Sequence, residues 1–356
     1  MRVLGIESSC DETAAAVVEA MPASTPSPRP LRIVSSVVHS QVAEHAPFGG
    51  VVPEIASREH ITRIVDVIER ALAKGGGLER IDGIAVTRGP GLIGSLLVGL
   101  QVAKGMALAR GLPWVGVNHL EGHLSALLLS EYPPTYPHIA LVVSGGHSNL
   151  YEVTGFGAYR LLGGTRDDAA GEAFDKVAKL LGLGYPGGIR IEKTAINGDP
   201  SAVDLPRGLP SKKSLDFSFS GLKTAAATHL KKHGVPEGKA LADFCASLQE
   251  AIADVLTKKA VQAARVTHAP GVVLAGGVAA NTRVRELLVE RCAKRGLWAF
   301  VPPKTLCTDN AAMIAAAGLM HLEAGERGTF DTSALSRWPL GNPAELSKLI
   351  KPWREG

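Results

Sequence analysis

Apolar positions along the chain alternate between short continuous runs and longer stretches in which they recur every three or four residues. Short apolar runs bounded by glycine or polar residues predict buried strands, whereas the longer spacing predicts helices with one buried face. The predicted strands are residues 2–7, 13–18, 31–40, 81–87, 113–117, 139–143, 148–153, 271–275 and 298–301. The predicted helices are residues 55–74, 92–110, 167–181, 221–230, 238–265, 281–296 and 308–319, with a short helix that carries His119 and His123. Strands alternating with helices are typical of an α/β fold with mainly parallel sheets.

A strand, a small polar turn and a returning strand occur twice in this pattern. The first turn is Ser8 to Glu12, and the second is Ser144 to His147. Each hairpin is followed by further α/β alternation, which favours two lobes of related architecture over two unrelated hairpins. Because 356 residues exceed one ordinary core, we expect an N-terminal lobe at residues 1–133, a C-terminal lobe at 134–325 and an irregular tail at 326–356.

Composition and charge indicate where the protein is located and which partners it could bind. The chain is 46% hydrophobic and 20% charged, as in an ordinary soluble enzyme. Its formal net charge of +4 permits an anionic partner but is equally typical of a mildly basic soluble protein. The four cysteines form no C-x-x-C pair, which indicates reduced thiols rather than a zinc ribbon or a disulfide framework. The start of the chain does not resemble a signal peptide, and residues 89–103, the most apolar stretch, are too short to span a bilayer. We therefore expect a cytoplasmic protein without membrane contact.

His119 and His123 are the most informative residues of the chain. Histidines four residues apart on a helix point the same way, so they could chelate one transition-metal ion or simply pack as neighbours. Zinc proteases of the H-E-x-x-H type place their general base where Leu120 stands here, and Glu121 faces away from the pair. Asp309 precedes an alanine-rich helix, where it would either cap the helix or supply a third ligand and leave a position open for substrate.

Three segments of the second half are candidate ligand contacts. The glycines of residues 144–147 would let backbone N–H groups converge on an anion, or would form a simple hairpin turn. Residues 276–281 join a buried strand to a helix, where α/β sheets bind nucleotides, and Asn281 would contact a base or ribose or cap the helix. Asp175 would accept ribose hydroxyls or pair with Lys179. Neither a P-loop nor a G-x-G-x-x-G motif occurs, which disfavours a Walker-type NTPase and a Rossmann dehydrogenase.

Ten ordered segments together carry a family resemblance. They are residues 5–13 (GIESSCDET), 49–54 (GGVVPE), 89–92 (GPGL), 119–123 (HLEGH), 143–147 (VSGGH), 171–176 (GEAFDK), 185–188 (YPGG), 216–223 (DFSFSGLK), 276–281 (GGVAAN) and 307–310 (CTDN). With these segments, which lie between Val3 and about Leu319, the chain resembles the universal tRNA threonylcarbamoyladenosine transferase family of the TsaD type, formerly described as a sialoglycoprotein endopeptidase.

The resemblance implies a two-lobed actin/Hsp70-like (ASKHA) fold with a ribonuclease-H-like sheet in each lobe. It implies one divalent transition metal, Fe²⁺ first and Zn²⁺ second, held by His119, His123 and Asp309. An adenine nucleotide, either an adenylate substrate or ATP, would occupy the cleft and contact Val142, Val143, Ser144, Gly145, Gly146, Asp175, Gly188, Glu192 and Asn281. Glu192 stands where many bacterial relatives carry aspartate. Val142 stands where archaeal relatives place a tyrosine that joins the metal, so we expect water or substrate at the fourth position.

The activity that the resemblance implies is threonylcarbamoyl transfer. The donor would be threonylcarbamoyl-AMP, and the acceptor N6 of the adenosine 3′ of the anticodon in tRNAs that read codons beginning with A. Asp11 or Glu12 would accept the amine proton as catalytic residues. The resemblance also implies an inactive paralogue that forms a heterodimer with the chain, and a small P-loop ATPase. A group of basic residues would contact tRNA phosphates or form a solvated surface: Arg207, Lys212, Lys213, Lys223, Lys231 and Lys232.

Three other functions compete with this interpretation. A metallopeptidase is suggested by the histidine spacing and by the older family description. A sugar kinase or chaperone-like ATPase of the same fold would need neither His119 nor His123. A module that only binds other proteins is the third alternative.

Overall fold

The computed structural model describes residues 1–22, 28–210 and 214–341, and within them two five-stranded sheets. The strands are β1 (Arg2–Glu7), β2 (Glu12–Ala20), β3 (Leu31–Ser40), β4 (Gly83–Gly89), β5 (Trp114–Asn118), β6 (His138–Val143), β7 (Ser148–Gly155), β8 (Ala158–Gly164), β9 (Gly271–Ala275) and β10 (Trp298–Phe300).

Ten α-helices are found in the same residues. They are α1 (Val42–His45), α2 (Pro53–Gly75), α3 (Ile93–Arg110), α4 (His119–Ser125), α5 (Ala170–Leu180), α6 (Gly187–Ala195), α7 (Ser220–His233), α8 (Gly238–Thr267), α9 (Thr282–Ala293) and α10 (Ala311–Glu323). Short 3₁₀ helices cover Ala46–Phe48, Leu78–Arg80, Ala126–Leu129, Gly277–Ala280 and Lys304–Leu306. None of the helices described here is long and apolar enough to cross a bilayer.

The two sheets have the same topology. In the first, β1, β2 and β3 form an antiparallel meander, and β4 and β5 add in parallel on the other side of β1. In the second, β6, β7 and β8 repeat the meander, and β9 and β10 add in parallel beside β6. Both strand orders are therefore third, second, first, fourth, fifth, and the α/β fold with one such sheet in each half is confirmed. The expectation of mainly parallel sheets is wrong, because each sheet is mixed and the hairpin meander contributes two antiparallel pairs beside two parallel ones.

Helices cover both faces of the first sheet. Helices α2 and α3 pack on its outer face through a core that includes Ile6, Ile64 and Leu100. Helices α4 and α10 lie between the two sheets, in a core that joins Val3 of β1 to Val142 of β6. The second sheet has its other face covered by α5 and α8.

Helix α10 returns from the second half of the chain to the first sheet, where it packs against β1, β2 and β4. Two glycines allow this approach. A methyl group at Gly5 would lie 2.2 Å from the Ala311 carbonyl oxygen, and one at Gly122 would lie 2.7 Å from Ile314 Cδ1. The lobe boundaries at residues 133 and 325 stay a prediction. That prediction places residues 311–323 in the C-terminal lobe, although they pack against the first sheet.

Three elements were absent from the pattern-based prediction: the short helix α1, helix α6 and strand β8. Residues 187–195 form α6, although two glycines at a helix start lower helix propensity; the helix is held because Asp175 accepts a hydrogen bond from its first N–H group, at 2.7 Å. Strand β8 was not predicted because it is an edge strand with a single buried side chain, so it lacks the alternation of a half-buried strand.

The tail after residue 325 has no helix or strand through residue 341, and it lies on the first sheet's helices and loops. The Lys104 ammonium donates to the carbonyls of Phe330 and Thr332 at 2.9 and 2.6 Å. Asn118 donates to the carbonyl of Trp338 at 2.9 Å. These bonds fix an irregular segment by satisfying backbone groups that no sheet or helix would satisfy.

Candidate active site

A cleft of about 900 Å³ lies between the two hairpin turns that open the sheets. The first turn contributes residues 9–12, and the second contributes residues 144–147. The starts of α5, α6 and α10 and the loop before α9 complete the walls. Most of the sequence-predicted site residues line this cleft: Asp11, Glu12, His119, Ser144, Gly145, Gly146, Asp175, Gly188, Glu192, Asn281 and Asp309.

The two histidines lie on one face of α4, directly after β5. Asn118 begins this helix by accepting a hydrogen bond from the Leu120 N–H at 2.9 Å. The imidazole rings of His119 and His123 lie edge to face, with centroids 4.8 Å apart. Asp309 Oδ1 approaches both Nε2 atoms, at 3.5 Å from His119 and 3.2 Å from His123. The structure therefore brings together the three residues that the sequence proposed as metal ligands.

The donor set fits a divalent transition metal. Both ring nitrogens of His123 are buried and have no hydrogen-bond partner in the described part of the chain, although the Asp309 oxygen is close. Leaving such nitrogens unpaired in the interior is unfavourable, and a cation between two imidazoles and a carboxylate would satisfy them. Asp309 is free for this role because its neighbour Asn310 caps α10 instead, accepting from the Met313 N–H at 3.0 Å.

Glu7 contacts His119 on the ring nitrogen that faces away from Asp309. This fully buried carboxylate lies 3.1 Å from His119 Nδ1 and accepts hydrogen bonds from the Ser9 N–H at 2.5 Å and the Thr87 hydroxyl at 2.6 Å. If Nδ1–H donates a hydrogen bond to this carboxylate, the lone pair is on Nε2, which faces Asp309, and this is the tautomer that a metal requires. The sequence pattern did not indicate this contact, because it identifies Glu7 only as a polar residue at the end of a strand.

Charges inside the cleft shift the pKa values of this group strongly. Burial favours the neutral forms, but the attraction between His119 and its two carboxylate neighbours outweighs it. The pKa of His119 is accordingly raised well above its ordinary value, and the pKa of Asp309 is lowered well below its own. The pKa of Glu7 is lowered for the same reason, against its burial. Two ionised carboxylates thus surround the imidazole pair, an arrangement suited to a cation.

His147 is a cleft residue that the sequence singled out only as part of a turn. It lines the cleft at the end of the second hairpin turn. Burial, together with the neighbouring His119 and His123, lowers the pKa of His147 to about 4. At neutral pH it is therefore a neutral imidazole beside the candidate metal ligands.

Asp11 and Glu12 project from the first hairpin turn. Asp11 accepts a hydrogen bond from the Tyr185 hydroxyl at 3.1 Å, which ties the first lobe to the loop before α6. Glu12 accepts one from the Ser40 hydroxyl at 3.1 Å. Burial raises the pKa of Glu12 well above its ordinary value, and the charges of Asp11 and Asp309 raise it further.

The second hairpin turn carries glycines, whereas the first carries carboxylate side chains. Gly145 and Gly146 are exposed, and a methyl group at either would meet no atom within 4 Å. Helix α5 starts against this turn, because Gly171 donates its N–H to the Ser144 carbonyl at 3.3 Å. Val142 and Val143 are fully buried strand residues and do not line the cleft; their contact with a substrate stays a prediction.

Three predicted contacts of the far wall already have protein partners. Asp175 Oδ1 binds the Gly187 N–H, and in the described residues it makes no ion pair with Lys179. Glu192 accepts from the Thr282 N–H at 3.0 Å. Asn281 caps α9, accepting from the Val284 N–H at 3.1 Å, while its amide donates to Gln249 at 2.8 Å. The capping role proposed for Asn281 is therefore present, and the same side chain faces the cleft.

The basic residues proposed for tRNA contact differ in whether they already bind other groups of the protein. Arg207 donates to the Leu205 carbonyl at 2.6 Å, and Lys223 forms an ion pair with Asp168 at 2.8 Å. Lys231 and Lys232 are exposed on the last turns of α7. Two further residues of the proposed group, Lys212 and Lys213, lie outside the described residues.

Two lobes that each open with the same hairpin, with a cleft between the hairpin turns, define the class of actin/Hsp70-like proteins. Solved structures agree with this fold at low sequence identity. Component A of (R)-2-hydroxyglutaryl-CoA dehydratase from Acidaminococcus fermentans superposes with a TM-score of 0.51 at 16% identity, covering 92% of this chain and 100% of that one. Full-length HypF, in a phosphate- and nucleotide-bound form, gives 0.58 at 12% identity, covering 91% of this chain and 56% of that one.

Sequence comparison is more specific. Residues 32–316 match the family model described as TsaD, tRNA N6-adenosine threonylcarbamoyltransferase. A protein of that name from Anaeromyxobacter dehalogenans (strain 2CP-C) is 57% identical, over 95% of this chain and 99% of the relative. One from Syntrophus aciditrophicus (strain SB) is 56% identical, over 96% and 98%. The chain belongs to the TsaD family of tRNA N6-adenosine threonylcarbamoyltransferases and is a transferase.

Proposed function

We propose that this chain transfers the threonylcarbamoyl group of threonylcarbamoyl-AMP to N6 of the adenosine 3′ of the anticodon, in tRNAs that read codons beginning with A. The observation that carries the proposal is the meeting of His119, His123 and Asp309 inside the cleft between the lobes. Family membership supplies the reaction, and the cleft supplies a site with the donor set and the volume for it.

His119, His123 and Asp309 would hold one divalent transition metal, with Fe²⁺ as the first choice and Zn²⁺ as the second. Such an ion, when bound, supplies a Lewis acid that polarises a carbonyl oxygen of the donor. Glu7 keeps the His119 ring in the orientation and tautomer that this role needs. His147, neutral at physiological pH, adds no competing charge next to the site.

The second lobe would bind the adenylate part of the donor. The exposed backbone of Gly145 and Gly146, with no side chain in the way, offers N–H groups to the phosphate. Asp175 and Asn281 line the wall where the nucleoside would lie, together with Gly188 and Glu192. Asp175 accepts the Gly187 N–H through Oδ1, which holds its carboxylate on the cleft wall, where we propose that it contacts a ribose hydroxyl.

The first lobe would handle the proton of the acceptor amine. As adenosine N6 attacks the carbamoyl carbon, the bond from that carbon to the phosphate oxygen breaks, AMP leaves, and one N6 proton must be accepted. We assign this role to Asp11 or Glu12, both of which line the cleft. A raised pKa brings the Glu12 carboxyl closer to the working pH of a general base.

Further components follow from the family membership. We propose that an inactive paralogue forms a heterodimer with this chain, and that a small P-loop ATPase joins the assembly. Exposed apolar side chains on adjacent helices support a partner surface: Ile61 and Val65 of α2, and Ile93 and Leu97 of α3. A tRNA substrate and these partners agree with a cytoplasmic location.

The direct test is nucleoside analysis of tRNA after incubation with the purified chain, its two partners and synthetic threonylcarbamoyl-AMP. Formation of threonylcarbamoyladenosine in the wild-type reaction, and its absence with a folded His119→Ala variant, is the expected result. The rival metallopeptidase function predicts instead that the chain digests casein and that a chelator stops the digestion. Modification at the wild-type level by metal-free His119→Ala would contradict the proposal.

A further inference from the structure

A second cluster of metal-type ligands lies outside the cleft. His39 is at the end of β3, Glu44 is in α1, and Glu59 is in the second turn of α2. One ligand atom from each lies within 4.8 Å of the other two. None of the three residues lines the cleft, so this cluster is separate from the one formed by His119, His123 and Asp309.

The side chain of His39 points away from the cleft because neighbours in a strand alternate between faces. Val38 and Ser40 line the cleft. Ser35, on the same face as His39, donates to the Ala71 carbonyl of α2 at 2.7 Å, which identifies that face as the one under α2. His39 is thereby held beneath the helix that carries Glu59.

Two atoms of the cluster are buried without a partner. His39 Nε2 and Glu44 Oε2 have almost no accessible surface, and neither has a hydrogen-bond partner in the residues that the structure describes. Glu59 has Arg63 Nε 3.6 Å from its Oε2 atom, and its second oxygen can still serve as a ligand. An imidazole nitrogen and a carboxylate oxygen that are buried together and unpaired are unfavourable unless a cation or a proton lies between them.

We propose that His39, Glu44 and Glu59 bind a second divalent metal ion. One imidazole and two carboxylates form an N/O set that suits Zn²⁺ or a similar first-row ion, with water at the fourth position. The three residues enclose the segment from β3 to α2, which contains Gly49, Gly50 and Val51 of the cleft wall. The ion acts structurally, fixing this segment at both of its ends.

The test uses the full-length chain with His119→Ala and His123→Ala, so that the cleft cannot contribute metal ligands. This background is equilibrated with Zn²⁺ alone, exchanged into metal-free buffer and analysed for zinc per chain. One ion per chain is expected. His39→Ala in the same background is expected to reduce the affinity at least about tenfold. Glu44→Gln, which keeps the shape of the side chain, is expected to act in the same direction.

Two matched controls separate the site from adventitious binding. His233→Ala removes an exposed histidine of α7, and Glu54→Gln removes an exposed carboxylate in the first turn of α2; both are expected to keep the ion. In the background protein, Zn²⁺ is also expected to protect residues 46–52 from limited proteolysis, and in the Glu44→Gln variant to give no protection. The proposal is overturned if the background binds no zinc at low micromolar concentration, or if His39→Ala and Glu44→Gln both retain the ion with unchanged affinity.

Discussion

The two hairpin turns that face each other across the cleft share one backbone design and carry opposite chemistry. The first turn and the strand before it hold Glu7, Asp11 and Glu12, all shielded to a large degree from solvent. The second holds Gly145 and Gly146, which are exposed and have no side chain. The two turns therefore differ in what they present to the cleft: the first presents the carboxylates of Asp11 and Glu12, and the second presents backbone without side chains.

Removing a ligand of the candidate metal is expected to have the largest effect of any single substitution. His119→Ala and Asp309→Ala should each lower kcat by at least about 1,000-fold, since polarisation of a carbonyl by a metal contributes several kcal/mol to transition-state stabilisation. Metal analysis of the purified variants, with circular dichroism as the folding control, checks the cause. Near-normal turnover without bound metal would separate the histidines from the chemistry.

Glu12→Gln tests whether the first turn handles a proton. The variant keeps the shape of the side chain but cannot accept a proton, so kcat should fall at least about 100-fold. Wild-type kcat should rise with pH through the raised pKa of Glu12, and that rise should vanish in Glu12→Gln.

The same residue gives a stability prediction with a definite sign. Burial, followed by the charges of Asp11 and Asp309, raises the folded-state pKa of Glu12 above its ordinary value of about 4.5. Between these two values the folded state binds more protons than the unfolded state, so the free energy of unfolding decreases as pH rises through the window. Glu12→Gln should therefore have a higher Tm than the wild type at pH 8 and an equal Tm near pH 4. A lower Tm at pH 8 would show that Glu12 is stabilising when ionised.

Glu7→Gln addresses the support behind His119. An amide oxygen accepts a hydrogen bond from Nδ1–H less strongly than a carboxylate does. The affinity for the metal should therefore fall by about 10- to 100-fold, as measured by competition with a chelator. Glu121→Gln is the matched control, since Glu121 is also buried and also binds a histidine, His321, at 2.7 Å. Equal losses in the two variants would mean that burying an amide, and not the contact with His119, causes the change.

Gly145→Ala probes the second turn and should have the smallest effect. The added methyl group meets no protein atom within 4 Å, so folding should be unchanged. If the turn approaches the donor's phosphate, KM for threonylcarbamoyl-AMP should rise about tenfold with little change in kcat. Gly105→Ala, an exposed glycine of α3 with equal space, serves as the control. An unchanged KM would place the phosphate elsewhere.

The duplicated hairpin and the pairing of His119 with His123 could be predicted because they depend on local spacing, whereas the residues alone left Asp309 open as a helix cap or a ligand and the family resemblance assigned it to the metal. His119 and His123 lie one helical turn apart, and any helix at that position aligns them. The contribution of Glu7 could not be predicted, because its contact with His119 joins residues far apart in the sequence through a sheet whose register no local pattern states.

The far wall of the cleft shows a second limit of prediction from the sequence. Asn281 was assigned either a capping or a ligand-binding role, and the structure shows the cap together with a position on the cleft wall. Sequence alone could not decide between these, since one side chain can serve both. Helix α6 was missed because its stability comes from Asp175 and from packing on α8, not from the propensity of its own residues.

The return of α10 to the first sheet bears on how the protein is synthesised. Asp309 immediately precedes a helix that reaches β1 and α4 only after both sheets exist in the chain. The N-terminal half, as it leaves the ribosome, therefore has its two histidines but lacks their carboxylate companion and one covering layer of its sheet. A truncated product of translation that ends before residue 309 therefore lacks the third candidate metal ligand.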